Sequence, residues 1–283
     1  MDSQKMQALF GLKWNPFSPE VPVEALHRTA KIQSFCHRIE SLVIDGGFAM
    51  IAGEPGLGKS VALRLLADSL SQVRDLSVAV VSRPQSSMTD FYREIAVLFG
   101  FAPSVSNRWG SYKALREKWM AHIETTLFRP VLLIDEAQEM PSFVLSELRL
   151  LSSTSFDSKS ILTVILCGDG RLPDRFRSPD LAPLGSRIRT RYRAEPATRD
   201  ELIAVMHQRL DVAGNPTIMT DELIETLVDH SAGNCRTLLQ SADDLLAEGL
   251  KRDAKQLDAK LFFDLYKPQE PRPRKQPSPT RRA

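Results

Sequence analysis

At 283 residues, with 42% hydrophobic and 25% charged side chains, the chain can bury one sizeable domain or a core with a smaller companion, and its make-up excludes fibrous and wholly disordered classes. No apolar run approaches the roughly 18 residues of a membrane span and the N-terminus shows no signal-peptide pattern, so a soluble cytoplasmic protein without a membrane partner is expected. The net charge of +2 hides a segregation: Lys267, Arg272, Arg274, Lys275, Arg281 and Arg282 face the single acid Glu270, leaving the body acidic.

In chain order, Phe10 to Phe17 is an irregular segment with too many aromatics for a free tail, and packing on the core is expected. Ala25 to Val43 reads as a helix, with Ile32, Phe35, Ile39, Leu42 and Val43 at three- and four-residue spacing. Asp45-Gly46-Gly47 breaks it. The apolar run Phe48 to Ala52 then reads as a buried strand, and Val61 to Ala67 as a helix. Between them lies Gly53-Glu54-Pro55-Gly56-Leu57-Gly58-Lys59-Ser60, a complete phosphate-binding loop in the strand–loop–helix setting its chemistry requires. Its glycines let backbone N–H groups close on phosphate oxygens, and the helix N-terminus adds positive partial charge. Gly53 to Ser60, with Val61 opening the helix, are therefore assigned to a nucleoside triphosphate, Lys59 to its β- and γ-phosphates and Ser60 to Mg²⁺.

Leu76 to Val81 is a second buried strand. Thr89 to Phe99 and Ser111 to Leu127 read as amphipathic helices joined by a loop with Pro103 and Asn107. A third strand, Val131 to Asp135, carries Asp135-Glu136 to the C-terminal edge of a parallel sheet, where ligands of such folds bind. Asp135 is expected in the Mg²⁺ shell and Glu136 as the general base or water-orienting residue. Two acids there predict hydrolysis rather than binding alone. Phe143 to Leu151 is a helix, and Thr163 to Cys167 a fourth strand ended by Gly168. Asp169 beyond it could lie between the metal acid and the γ-phosphate, or could cap the next helix.

The stretch from Arg171 to Arg199 is dense in arginine. Arg187, after Pro183 and Gly185, is the first choice for a guanidinium projected onto a neighbour's γ-phosphate, with Arg171 and Arg175 in reserve. Arg189, Arg191 and Arg193 share one face of a fifth strand, Ile188 to Arg193, and read as a solvated edge. Strands alternating with helices indicate a parallel sheet covered on both faces. From Thr198 to Tyr266 the pattern turns wholly helical, and Arg236, in a helix's first turn after Gly233-Asn234, could swing onto the nucleotide. Cys36, Cys167 and Cys235 lack metal-ligand spacing and read as reduced, packed thiols. The Pro-rich basic tail is either a solubilising end or a polyanion-grasping arm.

Phosphate loop, Asp-Glu, strand-four polar residue and Gly-Asn-x-Arg in this order resemble the AAA+ ATPases over roughly residues 8 to 266. More narrowly, Phe10-Gly11-Leu12 with Asn15-Pro16-Phe17, Leu132 to Gln138, Glu147 to Leu151 and Ser186-Arg187-Ile188 resemble the type A ATPases of the general secretion pathway. The same module occurs in regulators of transposition of the TnsC/TniB, MuB and IstB type. The resemblance implies an α/β fold: an αβα core with a five-stranded parallel sheet (residues 1–195), a small helical lid (196–266) and the tail (267–283). It implies ATP between core and lid at a subunit boundary, in rings or filaments. Asn15, Pro16 and Phe17 would lie beside the adenine, with Asp169 as first sensor and Arg236 as second.

The secretion ATPases carry a membrane segment and an envelope-binding domain after this module, and replication initiators add a winged helix; the short basic ending here favours the transposition regulators. The expectation is an ATP-dependent homo-oligomer that assembles on duplex DNA, recruits a transposase and dissolves on hydrolysis. Arg93, Arg108, Lys113 and Lys118 are the DNA-contact candidates, against the plainer reading of a solvated face. The rivals are a secretion-type motor working with a membrane complex and a non-catalytic nucleotide switch.

Overall fold

Short apolar runs separated by amphipathic helices give a layered molecule with two centres of burial. The computed structural model describes residues 3–81, 84–100, 108–125, 129–154 and 158–266. In chain order, α1 (Ser3–Phe10) and a 3₁₀ turn (Val23–Ala25) lead to α2 (Ala30–Asp45), β1 (Gly47–Ala52), α3 (Lys59–Ser71) and β2 (Leu76–Val81). Next come α4 (Met88–Leu98), α5 (Arg108–Thr125), β3 (Arg129–Ile134), a second 3₁₀ turn (Ala137–Glu139) and α6 (Ser142–Ser152). A minor antiparallel pair, β4 (Ser153–Thr154) and β5 (Lys159–Ser160), precedes β6 (Thr163–Gly168), α7 (Arg171–Arg175), α8 (Ala182–Gly185) and β7 (Ile188–Arg193). Four helices follow: α9 (Arg199–Ala213), α10 (Asp221–Ser231), α11 (Cys235–Lys251) and α12 (Ala259–Leu265).

The main sheet has the order β2-β3-β6-β1-β7, and every neighbouring pair is parallel. Successive strand residues point to opposite faces, and burial divides accordingly. Phe48, Met50, Leu132, Ile134, Val164 and Leu166 join α4, α5 and α6 in one cluster. Ala49, Ile51, Val131, Leu133, Ile165 and Cys167 join α2 and α3 in another. Helices on both faces explain why β6 is buried along its whole length. Ala52 pairs with Gly168, Ile134 with Leu166, and Val81 with Ile134, so the strands end together on one edge of the sheet.

The second centre is purely helical: α9, α10, α11 and α12 bury Leu202, Met206, Leu223, Leu227, Leu238, Leu245 and Phe262 together. The N-terminal aromatic segment packs here through Phe10, Leu12 and Phe17, and its Trp14 also packs against the α2–α3 side of the sheet. Side-chain caps set several boundaries. Thr198 and Glu201 form a reciprocal capping box at α9, and the Asn234 side chain accepts from the Arg236 and Thr237 amides at α11.

Two expectations change. The helix read from Ala25 begins at Ala30, because Thr29 holds an extended conformation and its hydroxyl accepts from the Ile32 amide. Helix α1 was not anticipated; Met6 and Phe10, one turn apart, pin it to the helical cluster. The loop with Pro103 and Asn107, the end of α5's expected span at Leu127, and the tail from Lys267 lie outside the described residues. Among the described residues, no helix is long and apolar enough to cross a membrane.

Candidate active site

The phosphate loop leaves β1 at Ala52 and returns as α3 at Lys59. Gly56 and Gly58 take φ of 86° and 85°, the left-handed region that a side chain disfavours. A Cβ on Gly56 would also sit 2.3 Å from the Asn234 side-chain oxygen. Lys59 is only 8% exposed, and its ammonium donates to the Glu54 carbonyl at 3.0 Å. A nearly buried lysine that donates to a carbonyl is suited to an anionic ligand.

Because β1, β3 and β6 end together, three chain segments converge beside this loop. The Ser60 hydroxyl donates to Asp135 Oδ2 over 3.5 Å, and Asp135 Oδ1 accepts from the Glu136 amide at 2.9 Å. Two hard oxygen donors side by side form the kind of set a small divalent cation takes. Behind Asp135, burial first and then the Asp135 carboxylate push the Cys167 thiol far up and keep it protonated. Cys36 and Cys167 are buried and all three cysteines are free thiols. Glu136 adopts φ 50°, ψ 38°, an uncommon conformation for a side-chain-bearing residue and one that recurs at functional positions.

Asp169, beyond β6, is engaged locally. Its carboxylate accepts from the Arg171 amide at 2.9 Å and from Arg171 Nε at 2.8 Å, and the Arg171 guanidinium holds its carboxyl below the usual carboxylate range. Arg171 also reaches Glu139 at 2.7 Å. The group lying between Glu136 and the end of β6 is instead Gln138, 7% exposed, which donates to the Glu136 carboxylate and accepts from the Asp169 amide at 3.1 Å. Sequence reading had passed over it, although it stands in the Asp-Glu-Ala-Gln run.

The arginines separate by position. Arg175 donates to the Gln138 and Met140 carbonyls and to the Ser142 hydroxyl, so it is built into the turn after β3. Arg187 is half-buried just before β7. Since Ile188 pairs with Phe48 and Arg193 with Ala52, Arg187 stands at the edge opposite its own phosphate loop, about 17 Å away along the strand. Arg189, Arg191 and Arg193 are exposed on the edge strand. Arg236 is exposed at the start of α11, and its amide donates to the Gly56 carbonyl at 3.3 Å. Asn234 reaches the same loop, donating to the Pro55 carbonyl at 3.2 Å.

The strap residues are placed against the helical layer. Asn15 donates to Asp243 at 2.6 Å, Phe17 is buried in the helical cluster, and Arg209 donates to the Pro16 carbonyl at 2.8 Å. Burial among apolar side chains pulls the Arg209 guanidinium down to about 10. Arg64 of α3 donates to the Pro19 and Val21 carbonyls, so the strap is held by both α3 and α9. A narrow cavity of about 90 Å³ opens beside Gly58 and Val61, walled by Leu26, His27, Ile32, Tyr192 and Leu239; Asn15, Pro16 and Phe17 do not line it. A wider cleft of about 890 Å³ runs along Glu54, Pro55, Arg177, Arg191, Arg193 and Asn234.

The DNA-contact candidates lie on α4 and α5. Arg93 pairs with Asp90 at 2.7 Å and Lys113 with Glu117 at 3.6 Å, each on its own helix, and Lys118 is exposed on α5. The Arg108 side chain lies outside the described residues. Such pairs are ordinary on a solvated helix face.

The AAA domain family matches residues 43–176. General secretion pathway protein A of Aeromonas hydrophila is 30% identical over 248 residues, which is 86% of this chain; the chain spans 44% of that relative's length. Solved structures share the architecture at low identity and so speak to fold alone. Cdc6p from Pyrobaculum aerophilum superimposes with a TM-score of 0.69 at 17% identity, over 86% of this chain and 67% of its own. The Aeropyrum pernix ORC2 protein gives 0.70 at 14%, over 88% and 70%. Domain III of the Thermotoga maritima replication initiation protein DnaA gives 0.59 at 16%, over 88% and 97%. The curated match is to a secretion-pathway protein, which favours the secretion-type reading over the transposition regulator that the sequence had placed first.

Proposed function

This chain is an AAA-domain protein, and from that premise we propose that it is a Mg²⁺-dependent ATPase of the general secretion pathway type, working as a homo-oligomer with a membrane-associated complex. The observation that carries the ATPase reading is the convergence of Lys59, Ser60, Asp135 and Glu136 on one sheet edge, with Ser60 and Asp135 in hydrogen-bond contact.

The residues fit the groups this reading needs. The glycine-bearing loop and the N-terminus of α3 offer backbone donors to phosphates, and Lys59 exchanges its carbonyl partner for phosphate oxygens. Ser60 and Asp135 would hold Mg²⁺, which when bound supplies neutralising charge for the phosphates. Glu136 orients a water and accepts its proton as the γ-phosphoryl bond breaks. The narrow cavity beside Val61, where apolar Leu26, Ile32 and Leu239 stand with charged Lys31, Glu195, Glu201 and Arg209, is the place for a flat base, and closure on it is sensed through Asn234 and Arg236 at the loop. Arg187, remote from its own loop, serves a neighbour's site.

The secretion assignment rests on the likeness to general secretion pathway protein A. Affinity capture of the full chain from detergent-solubilised cells should recover inner-membrane proteins in an ATP-dependent manner, and Lys59→Ala should lose both that dependence and ATP hydrolysis. Capture of a DNA-bound recombinase, with no membrane protein recovered, would refute the secretion assignment while leaving the ATPase reading in place.

A further inference from the structure

Gln138 occupies a place that no phosphate-binding motif assigns, and its chemistry there is unambiguous. A backbone N–H can only donate and an ionised carboxylate can only accept. The Gln138 amide therefore has one orientation: its oxygen toward the Asp169 amide at 3.1 Å and its NH₂ toward the Glu136 carboxylate. The side chain is buried, so neither bond is readily replaced by water. Its backbone is fixed from the other side, where Arg175 donates to the Gln138 carbonyl. Room for the bridge exists because residue 168 is glycine: a Cβ there would lie 2.4 Å from the Gln138 side-chain oxygen.

Alongside the Arg171–Glu139 and Arg175–Gln138 links, the bridge joins two segments directly at the Glu136 carboxylate. One is the strained turn carrying Glu136. The other is the end of β6, where Asp169 is locked to Arg171 and Arg171 to Glu139. We infer that Gln138 is the positioning residue for Glu136: it aims the carboxylate and transmits to it any displacement of the β6 terminus. A shift of Asp169, whether from a γ-phosphate or from a neighbouring subunit, thereby changes where Glu136 points. This inference rests on the ATPase reading, since it assigns Gln138 a role through Glu136.

The discriminating variant is Gln138→Glu. It keeps the shape and the acceptor for the Asp169 amide, but replaces the donor facing Glu136 with a second carboxylate. Single-turnover ATP hydrolysis by the full chain should slow about ten- to hundred-fold at neutral pH, the size of a lost charge-assisted hydrogen bond, while affinity for fluorescent ADP stays within about twofold. A carboxyl buried beside another carboxylate takes up its proton readily, and once protonated it can donate again. The deficit relative to the parent chain should therefore shrink as pH falls. Gln138→Leu, which cannot donate at any pH, should show the same deficit without that recovery.

Gln138→Glu hydrolysing at the parental rate across the pH range would overturn the inference. So would joint loss of hydrolysis, ADP affinity and thermal stability with no recovery in acid, which marks a merely structural role. A parent chain that hydrolyses no ATP, or a Glu136→Gln variant as active as the parent, would instead overturn the ATPase reading and the inference with it.

Discussion

Replacing Gly56 with alanine should destabilise the folded chain by about 2–4 kcal/mol, and the structure shows where that comes from. The residue sits at φ 86°, where an L side chain costs about 1–2 kcal/mol. The added methyl would lie 2.3 Å from Asn234 Oδ1 and 2.7 Å from its Nδ2, so the Asn234 amide must leave. Leaving, it gives up the bonds from the Arg236 amide at 3.0 Å and the Thr237 amide at 3.2 Å, a helix cap of about 0.5–2 kcal/mol, together with its own bond to Pro55. The two parts separate in a double-mutant cycle followed by urea unfolding. Asn234→Ala alone should cost the cap, and Gly56→Ala in that background should cost only the backbone strain. The two single effects should thus exceed the double by about 0.5–2 kcal/mol. Strict additivity, or a Gly56→Ala cost below about 0.5 kcal/mol, would refute the claim that the lid rests on the loop through Asn234.

Two further outcomes are expected. The Asp169 carboxyl is held below its ordinary range, first by the Arg171 side chain, so its ionised form contributes stability above about pH 3.9 that is lost as pH falls through the folded value. Asp169→Asn should therefore unfold in less urea at pH 7 and converge with the parent in acid; a gap that persists undiminished toward about pH 2 would count against the Asp169–Arg171 link. Separately, Lys59→Ala and Arg187→Ala chains should each be inactive. Mixing them in equal amounts should restore about a quarter of parental hydrolysis, because an intact site meets an intact neighbour arginine at that fraction of random interfaces. Failure of the mixture to gain any activity would remove Arg187 from the neighbour's site.

What could be read from the residues alone was what is local. The phosphate loop is a contiguous string whose glycines and lysine act within one turn, and Leu76–Val81 and Ile188–Arg193 form strands where the patterns put them. Leu76–Val81, read as buried, is however an edge strand with just Ala79 and Val81 buried and Val80 exposed. Legibility failed where a side chain works across the fold. Asn234 reaches Pro55 over a sequence separation of 179, and Gln138 reaches Asp169 over 31. Neither contact leaves a periodic trace. Arg209 looks like one more polar residue on α9, yet it is buried on the Pro16 carbonyl, because the strap folds back under the lid. The start of α2 was misplaced for a smaller reason: Thr29 is a recognisable cap, and the apolar spacing beyond it was extended backwards through it. For Asp169 the structure shows a carboxylate paired with Arg171, while the N-cap of α7 is Gly170 without a side-chain cap bond, so neither the capping nor the phosphate-facing reading is selected.

The central claim is that Glu136 activates water at a triphosphate seated by Lys59 and Asp135. Its most direct measurement is the decay of ATP on the full chain in a single turnover with Mg²⁺, parent against Glu136→Gln. The parent should convert bound ATP to ADP, and the variant should retain ATP bound with parental affinity while hydrolysing it at least about a hundred-fold more slowly. Equal decay on both chains would contradict the account.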